Sequence, residues 1–303
     1  MSDEIMKIVR RAPIRSLIYS CLSACGEQRG GELPGPWFSE AFDGIGHTPS
    51  AVRLALFRMV RNGELEARKE GRVNFYRLAS FGRAGIEAGL QMLFGDPETE
   101  WDGRWTIVHF HFPTGDRVRR DHIRNILTLE GFGCLGPGAY AHPHNRAPGV
   151  LKAMGAEASQ EVDGVTIYRG RCVGGATDEA LAHRLWDVAA LNERYDTFLR
   201  NTAPLEKRVA RCTAKDAFFL RIGVVLAFLD VAWADPELPP SLLPDGWLGF
   251  KARRTARRLY ESLWPLTLAH GDEILAGMGL AHLIPDGAAD TNIQCEEKGE
   301  THE

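Results

Sequence analysis

The chain has 303 residues, enough for two or three domains built around sizeable cores. Its composition is 44% hydrophobic and 25% charged with a formal net charge of -4, which suits a soluble globular protein and excludes a globally basic nucleic-acid binder; any such surface must be local. The N-terminus is charged and lacks a long apolar run, and the most apolar stretch, Phe218 to Ala234, is broken by Arg221 and Asp230 and falls short of a membrane span. A cytosolic location with no membrane partner is therefore expected.

Residues from Met1 to about Arg11 read as a polar leader. Pro13 to Cys25 is predicted to be an amphipathic helix with Ile14, Leu17, Ile18, Cys21 and Leu22 on one face. Arg29-Gly30-Gly31-Glu32 is a turn, and Trp37 to Phe42 a short helix with Trp37, Phe38 and Phe42 inward. Gly44-Ile45-Gly46 turns into a third helix, where Thr48 suits the N-cap and Pro49 the first helical position. Val52, Leu56, Met59 and Val60 give that helix its apolar face, while Arg53, Phe57, Arg58 and Arg61 point mostly outward. Asn62-Gly63 ends it, since Gly accepts the left-handed conformation beyond a helix C-terminus. Two short β-prone runs follow, Leu65 to Arg68 and Asn74 to Leu78, joined by Lys69-Glu70-Gly71-Arg72. Three helices and then a hairpin with a basic tip predict a winged helix-turn-helix. Between Arg53 and Arg77 the basic residues Arg53, Arg58, Arg61, Arg68, Lys69, Arg72 and Arg77 outnumber Glu64, Glu66 and Glu70, the local excess a DNA-contacting patch needs. A helix from Phe81 to Leu93 completes residues 1–93, the expected DNA-binding domain.

Phe94 to Glu100 reads as a linker. Beyond it, a strand is expected over Trp105 to Phe112 and a helix over Asp116 to Gly131 with Val118, His122, Ile126 and Leu129 on its apolar side. Then come a Gly-rich strand region over Phe132 to Pro143, a short helix over Ala147 to Met154 and a strand over Val162 to Arg171. The order β-α-β-α-β suggests a small ferredoxin-like domain over residues 101–175. Residues 176–284 read as a helical domain: one helix from Ala180 to Arg200, a buried one from Ala214 to Ala234, a Pro-rich crossing from Asp235 to Trp247, and a basic-faced helix from Gly249 to Leu268. Residues 285–303 are expected to be disordered. The fold class is thus α+β.

The six cysteines are scattered without a CxxC pair, so neither a zinc ribbon nor a disulfide scaffold is indicated. Cys21 and Cys25 share a helical face and read as small core residues rather than a redox switch. His109-Phe110-His111 and His142-Pro143-His144 place two histidines on one side of a strand, but no carboxylate or cysteine cluster completes a metal site; no metal or cofactor is expected.

The chain resembles the PaaX-type repressors of phenylacetate-degradation operons. The likeness is carried by Arg29-Gly30-Gly31-Glu32, Ala51-Val52-Arg53 with Ala55-Leu56-Phe57-Arg58, Gly71-Arg72 with Phe75-Tyr76-Arg77-Leu78, Trp101-Asp102-Gly103 with Trp105, and Gly131-Phe132-Gly133 with Pro137. It continues through Asp235-Pro236, Leu238-Pro239, Leu242-Leu243-Pro244 and Trp247, so it runs from about Pro13 to Pro265. It implies a winged helix, a central ferredoxin-type domain similar to Cas2 nucleases, and a C-terminal helical effector and dimerisation domain. It also implies a homodimeric repressor released from operator DNA by an arylacetyl-CoA. The chain departs from the family pattern at Glu64, where a Trp is usual, at Leu54, where a Thr is frequent, and at Leu226, Leu229 and Asp230, where cationic groups are frequent. The effector expected is therefore a CoA thioester or a free aromatic acid.

In that reading Thr48, Ser50, Arg53, Leu54, Phe57, Arg58 and Arg61 meet the major groove, with Arg53 within reach of a guanine edge and Phe57 or Leu54 able to meet a thymine methyl. Lys69 and Arg72 at the hairpin tip suit phosphate or minor-groove contact. Arg184, Arg194 and Arg221 are candidates for an anionic effector, although surface ion pairs would look the same in sequence. Trp186 and Trp247, with Trp101, Trp105 and Tyr140, could line an aryl pocket or simply a core. The first central strand ends His111-Phe112-Pro113-Thr114 without the Asp a Cas2-type nuclease would place there, so that domain reads as structural or dimerising. The rival reading is an aromatic-pathway enzyme carrying a winged-helix module, but no Ser-His-Asp order, P-loop or dinucleotide fingerprint supports catalysis.

Overall fold

A computed structural model describes residues 3–26, 29–95, 100–113, 115–156 and 162–280. The chain is a mixed helix-and-sheet protein with two small antiparallel sheets. It divides into two compact units, one formed by Met1–Gly95, Asp196–Asp230 and Phe250–Glu303, the other by Asp96–Tyr195 and Val231–Gly249.

In the first unit the expected polar leader is a helix, α1 (Asp3–Arg11). Ile5 and Val9, one turn apart, are wholly buried. They pack where Gly223 has no side chain: a Cβ there would lie 2.5 Å from Ile5 Cγ2 and 2.9 Å from Val9 Cγ2. α2 (Ile14–Cys21) buries Leu17, Ile18 and Cys21 and widens into a π-type turn over Leu22–Gly26. The stretch read as a turn at Arg29–Glu32 runs into a three-residue strand, β1 (Glu32–Pro34), too short to carry a periodicity. α3 (Gly35–Ala41) and α4 (Pro49–Arg61) follow as predicted, with Trp37, Phe38 and Phe42 wholly buried.

The hairpin is longer than the sequence suggested. β2 (Leu65–Glu70) and β3 (Val73–Leu78) pair in register from Leu65–Leu78 to Glu70–Val73, leaving only Gly71 and Arg72 in the turn. Gly71 sits at φ 58°, the left-handed conformation a two-residue hairpin turn requires. Lys69 and Glu70 are therefore strand residues, and β1 adds on the far side of β3 to give the order β1-β3-β2.

α5 (Ser80–Phe94) leaves the sheet at Gly82, where a Cβ would stand 2.5 Å from the Glu64 carbonyl oxygen. The rest of this unit is helical: the later part of α9 (Val188–Arg208), most of α10 (Ala214–Ala232) and α11 (Gly249–Met278). α11 runs ten residues past the predicted end at Leu268 and contains Pro265. Thr267, His270, Ile274 and Leu275 keep a buried face going through that extension.

In the second unit β4 (Trp105–Phe110), β5 (Gly133–Gly136), β6 (Ala139–His142) and β7 (Val165–Gly170) form an antiparallel sheet of order β5-β6-β4-β7. With α6 (Arg117–Leu129) after β4 and α7 (Ala147–Ala153) after β6 the order is βαββαβ, the split ferredoxin-like arrangement. The expected single strand region over Phe132 to Pro143 is a hairpin turning at Gly138, φ 73°.

Two helices differ from expectation. α6 buries Ile123, Ile126 and Leu127 and exposes Val118, His122 and Leu129; the sheet selects the adjacent stripe, and of the predicted face only Ile126 is inside. The helix read from Ala180 to Arg200 is two, α8 (Asp178–Leu185) and α9. Trp186 is extended (φ -132°, ψ 142°) and its indole N–H donates to the Gly131 carbonyl at 3.2 Å. Asp187 Oδ1 then accepts from the Ala190 amide at 3.0 Å and caps the second helix. The linker core, residues 96–99, and the predicted disordered tail, residues 285–303, lie outside the described residues.

Candidate nucleic-acid interface

α4 is built to stand alone at its N-terminus. Thr48 Oγ1 accepts from the Ala51 amide at 3.2 Å, and Gly63 at φ 72° closes the other end. Val52, Leu56 and Met59 anchor the helix in a core shared with α2, α3 and the sheet. The opposite face carries Ser50, Arg53, Leu54, Phe57, Arg58 and Arg61, all exposed. Phe57 is 63% exposed and Leu54 47%, two large apolar side chains interleaved with arginines on a helix that has apolar residues enough for its own core. Arg53 donates to Ser50 Oγ at 3.1 Å, which holds it along the first turn.

The basic excess of the hairpin is smaller than the sequence count. Arg68 pairs with Glu32 across the sheet and with Glu70, and these two carboxylates hold its guanidinium above the ordinary arginine pKa. Arg77 pairs with Glu66 at 2.6 Å. Glu32, which supplies one of those carboxylates, comes from the strand the sequence hid. The outward positive charge is thus concentrated in Arg53, Arg58 and Arg61 on α4 and in Lys69 and Arg72 at the hairpin tip, all exposed.

A further group, not anticipated from sequence, ties these parts together. Glu64, between α4 and β2, is buried, and its carboxylate accepts from Arg15 Nε at 2.5 Å, Tyr19 Oη at 2.9 Å and Asn62 Nδ2 at 3.2 Å. Burial raises its pKa, but the hydrogen bonds from Arg15, Asn62 and Tyr19 outweigh that and hold it below the usual carboxylate value. Its carbonyl accepts from the Ala79 amide at 3.1 Å. One residue therefore connects α2, the end of α4, and the start of α5. The signal for it was a lone acid inside a basic stretch, which spacing alone does not distinguish from a solvated charge.

The effector candidates do not gather at one point. Arg184, Arg194, Trp186 and Trp247 belong to the second unit, and Arg221 to the first. Arg184 and Arg194 are exposed; Trp186 stacks on Trp105 with centroids 6.4 Å apart, and Trp247 meets Tyr195 edge-on at 5.5 Å. Trp101 packs edge-on against Trp105 at 5.6 Å, and Tyr140 stacks on Phe110 at 6.0 Å. Arg221 is buried under the rings of Tyr260 and Trp264.

Of the histidine pairs, His109 and His111 are exposed on a strand end, whereas His142 is buried against Phe132 and Trp186. Burial, with Arg146 and His144 nearby, pushes the His142 pKa down to about 3, so the ring is neutral. Its Nδ1 accepts from the His144 amide at 3.1 Å, which places the proton on Nε2. Among the described residues no group of three His, Cys, Asp or Glu side chains could hold a metal ion, and no helix is long and apolar enough to cross a membrane. Cys21 and Cys25 are wholly buried, and burial raises both thiols, Cys25 to about 11, as expected of core residues.

Three family models cover the chain in succession: "PaaX-like protein" over residues 13–82, "PaaX protein central Cas2-like domain" over 98–182, and "PaaX-like protein C-terminal domain" over 186–273. The chain is 26% identical over 279 residues to the transcriptional repressor PaaX of Escherichia coli (strain K12), covering 89% of this chain and 87% of that protein. The fold is similar to the solved structure of an uncharacterized protein from Mycobacterium tuberculosis, with a TM-score of 0.53, 21% identity, and coverage of 79% of this chain and 90% of that one. With its central unit Cas2-like and its matched segments in the same order along nearly the whole length, the chain belongs to the PaaX family.

Proposed function

We propose that this protein is a transcriptional repressor that reads operator DNA through α4 and the β2–β3 hairpin, acting as a winged helix-turn-helix. The observation that carries this is the outer face of α4. Arg53, Arg58 and Arg61 alternate there with the exposed Leu54 and Phe57, on a capped helix, with Lys69 and Arg72 on a hairpin in the same compact unit. A recognition helix needs that mixture: a guanidinium for a guanine edge, an apolar group for a thymine methyl, and flanking cations for phosphates. The family relative named as a repressor supports the same reading.

The remaining parts of the proposal follow the family. Residues 1–93 read DNA, 101–175 form a structural or dimerising element, and 176–284 respond to the effector, although the helices of 196–230 and 250–280 are folded into the same unit as residues 3–95. A homodimer places two recognition helices on half-sites one or more helical turns apart. The protein acts in the cytoplasm, on an aromatic-acid catabolic operon, and is no enzyme. Its effector, an arylacetyl-CoA or related aromatic acid, must bind the free and DNA-bound geometries with different affinity to release the operator.

The test is a gel shift of the purified protein on the region upstream of its own gene, titrated with arylacetyl compounds. A retarded band that one such compound abolishes supports the proposal. Absence of any sequence-preferring band at moderate salt refutes it.

A further inference from the structure

Arg221 sits on α10 with 2% of its surface exposed. Its guanidinium carbon lies 3.8 Å from the Tyr260 ring centroid and 4.4 Å from that of Trp264, and its Nε is buried without a hydrogen-bond partner. The groups acting on its charge are Tyr260, Cys25 and Cys21, none of them a carboxylate. Arginine stays protonated in proteins, so this is a buried cation without a counter-ion, and the two ring faces compensate only part of its lost hydration. Every other buried polar arrangement in this part of the unit is closed. Arg29 donates to the Cys25 carbonyl at 2.6 Å and pairs with Asp272, and Trp37 Nε1 donates to the Gly271 carbonyl at 3.1 Å.

The surroundings define what could complete the site. Tyr260 and Trp264, one turn apart on α11, stack on each other with centroids 5.7 Å apart and are only half-buried, so the aromatic shelf reaches the surface beside the guanidinium. Phe94 continues the shelf, edge-on to Tyr260 at 5.2 Å. A planar fork of N–H donors matches a carboxylate, and stacked ring faces match an aryl group. The neighbouring cations are committed: Arg29 to Asp272, and Arg257 to Glu261 at 3.1 Å. A single available cation suits one carboxylate and not the several phosphates of a CoA thioester.

We propose that Arg221, walled by Tyr260 and Trp264, binds the carboxylate of a small aromatic acid. The binding itself stands apart from the repressor reading; its consequence, release of DNA, rests on that reading. Cys21 and Cys25, the other wall of Arg221, belong to α2 and its π-type turn, and α2 packs on α4. An acid that pulls the guanidinium toward α11 acts on the element behind the recognition helix.

The experiment is calorimetric titration of the full chain with phenylacetate, with its neutral isostere phenylacetamide, and with phenylacetyl-CoA. Phenylacetate binding that is at least tenfold tighter than phenylacetamide, and at least tenfold weaker in Arg221→Gln and several-fold weaker in Trp264→Leu, is the expected result. Should Arg221→Gln not fold, the Arg221 Nε–H resonance of the unsubstituted protein must shift on adding phenylacetate. No binding of phenylacetate, equal binding by Arg221→Gln, an unmoved Nε–H resonance, or binding of the CoA thioester alone overturns the inference. Carboxylate binding by a protein that fails to retard its upstream DNA would sink the repressor reading and leave this site standing.

Discussion

Replacing Glu64 by Gln removes a charge from the junction of α2, α4, β2 and α5 while keeping its volume. Two contributions are lost. The first is the ion pair with Arg15, whose side chain is 57% exposed and returns to water when released, so it contributes no more than about 1 kcal/mol. The second is the buried acceptor set: the carboxylate serves Arg15, Tyr19 and Asn62 together, but a carboxamide has one oxygen and must turn an N–H₂ toward a donor. One mismatched buried hydrogen bond costs about 1–2 kcal/mol. The sum is about 2 kcal/mol, or roughly 4–8 °C in melting temperature at about 2–4 °C per kcal/mol. Because the folded-state pKa of Glu64 lies below its ordinary 4.5, its charge contributes stability fully above that value and loses it as pH falls through the depressed pKa. Scanning calorimetry of both proteins from pH 7 to pH 3 reads this directly. The gap between them should be full at neutral pH and shrink below about pH 4.5. A gap of zero at pH 7, or one that persists unchanged in acid, would falsify the assignment of Glu64 as an ionised clamp.

Other expectations follow from the same geometry. Gly82→Ala places a methyl 2.5 Å from a main-chain oxygen that is itself hydrogen-bonded, and should destabilise by about 1–3 kcal/mol in urea denaturation; an unchanged midpoint means α5 does not press on the end of α4. Thr48→Ala removes the α4 cap and should cost about 1 kcal/mol by the same measurement, with faster amide exchange in the first turn. Lys69→Ala and Arg72→Ala should each lower the slope of log affinity against log salt by about 1 and leave base preference alone; a changed preference at equal slope would mean the hairpin tip reads bases.

What could be read from the chain, and what could not, divides by the range of the contacts. α4 was legible to the residue because its cap, its Val52-Leu56-Met59 stripe and its Asn62-Gly63 stop are all local. The hairpin was legible in kind but its turn was not, since Gly71-Arg72 is bracketed by charged residues that pair across the strands as readily as they would sit in a loop. β1 and the Glu64 clamp were hidden: three strand residues carry no period, and the partners of Glu64 on α2 lie 45 and 49 residues away. α1 escaped notice because its buried pair, Ile5 and Val9, is diluted by charges and is held by the absence of a side chain at Gly223. The misassigned face of α6 shows the same limit. Val118, His122, Ile126 and Leu129 fit a helical stripe, but the sheet took Ile123 and Leu127 instead. Among the effector candidates, residue type alone placed five side chains together, and the fold separates Arg221 from Arg184, Arg194, Trp186 and Trp247.

The central claim is that the outer face of α4 reads base pairs. It is tested most directly by selecting bound sequences from a randomised duplex pool with the unsubstituted protein and with Arg53→Ala, at one fixed salt concentration. The account predicts a palindromic site in which Arg53→Ala loses preference at one position of each half-site, a guanine, worth about 1–3 kcal/mol of discrimination, with the other positions kept. Identical profiles from the two proteins would show that α4 does not lie in the groove.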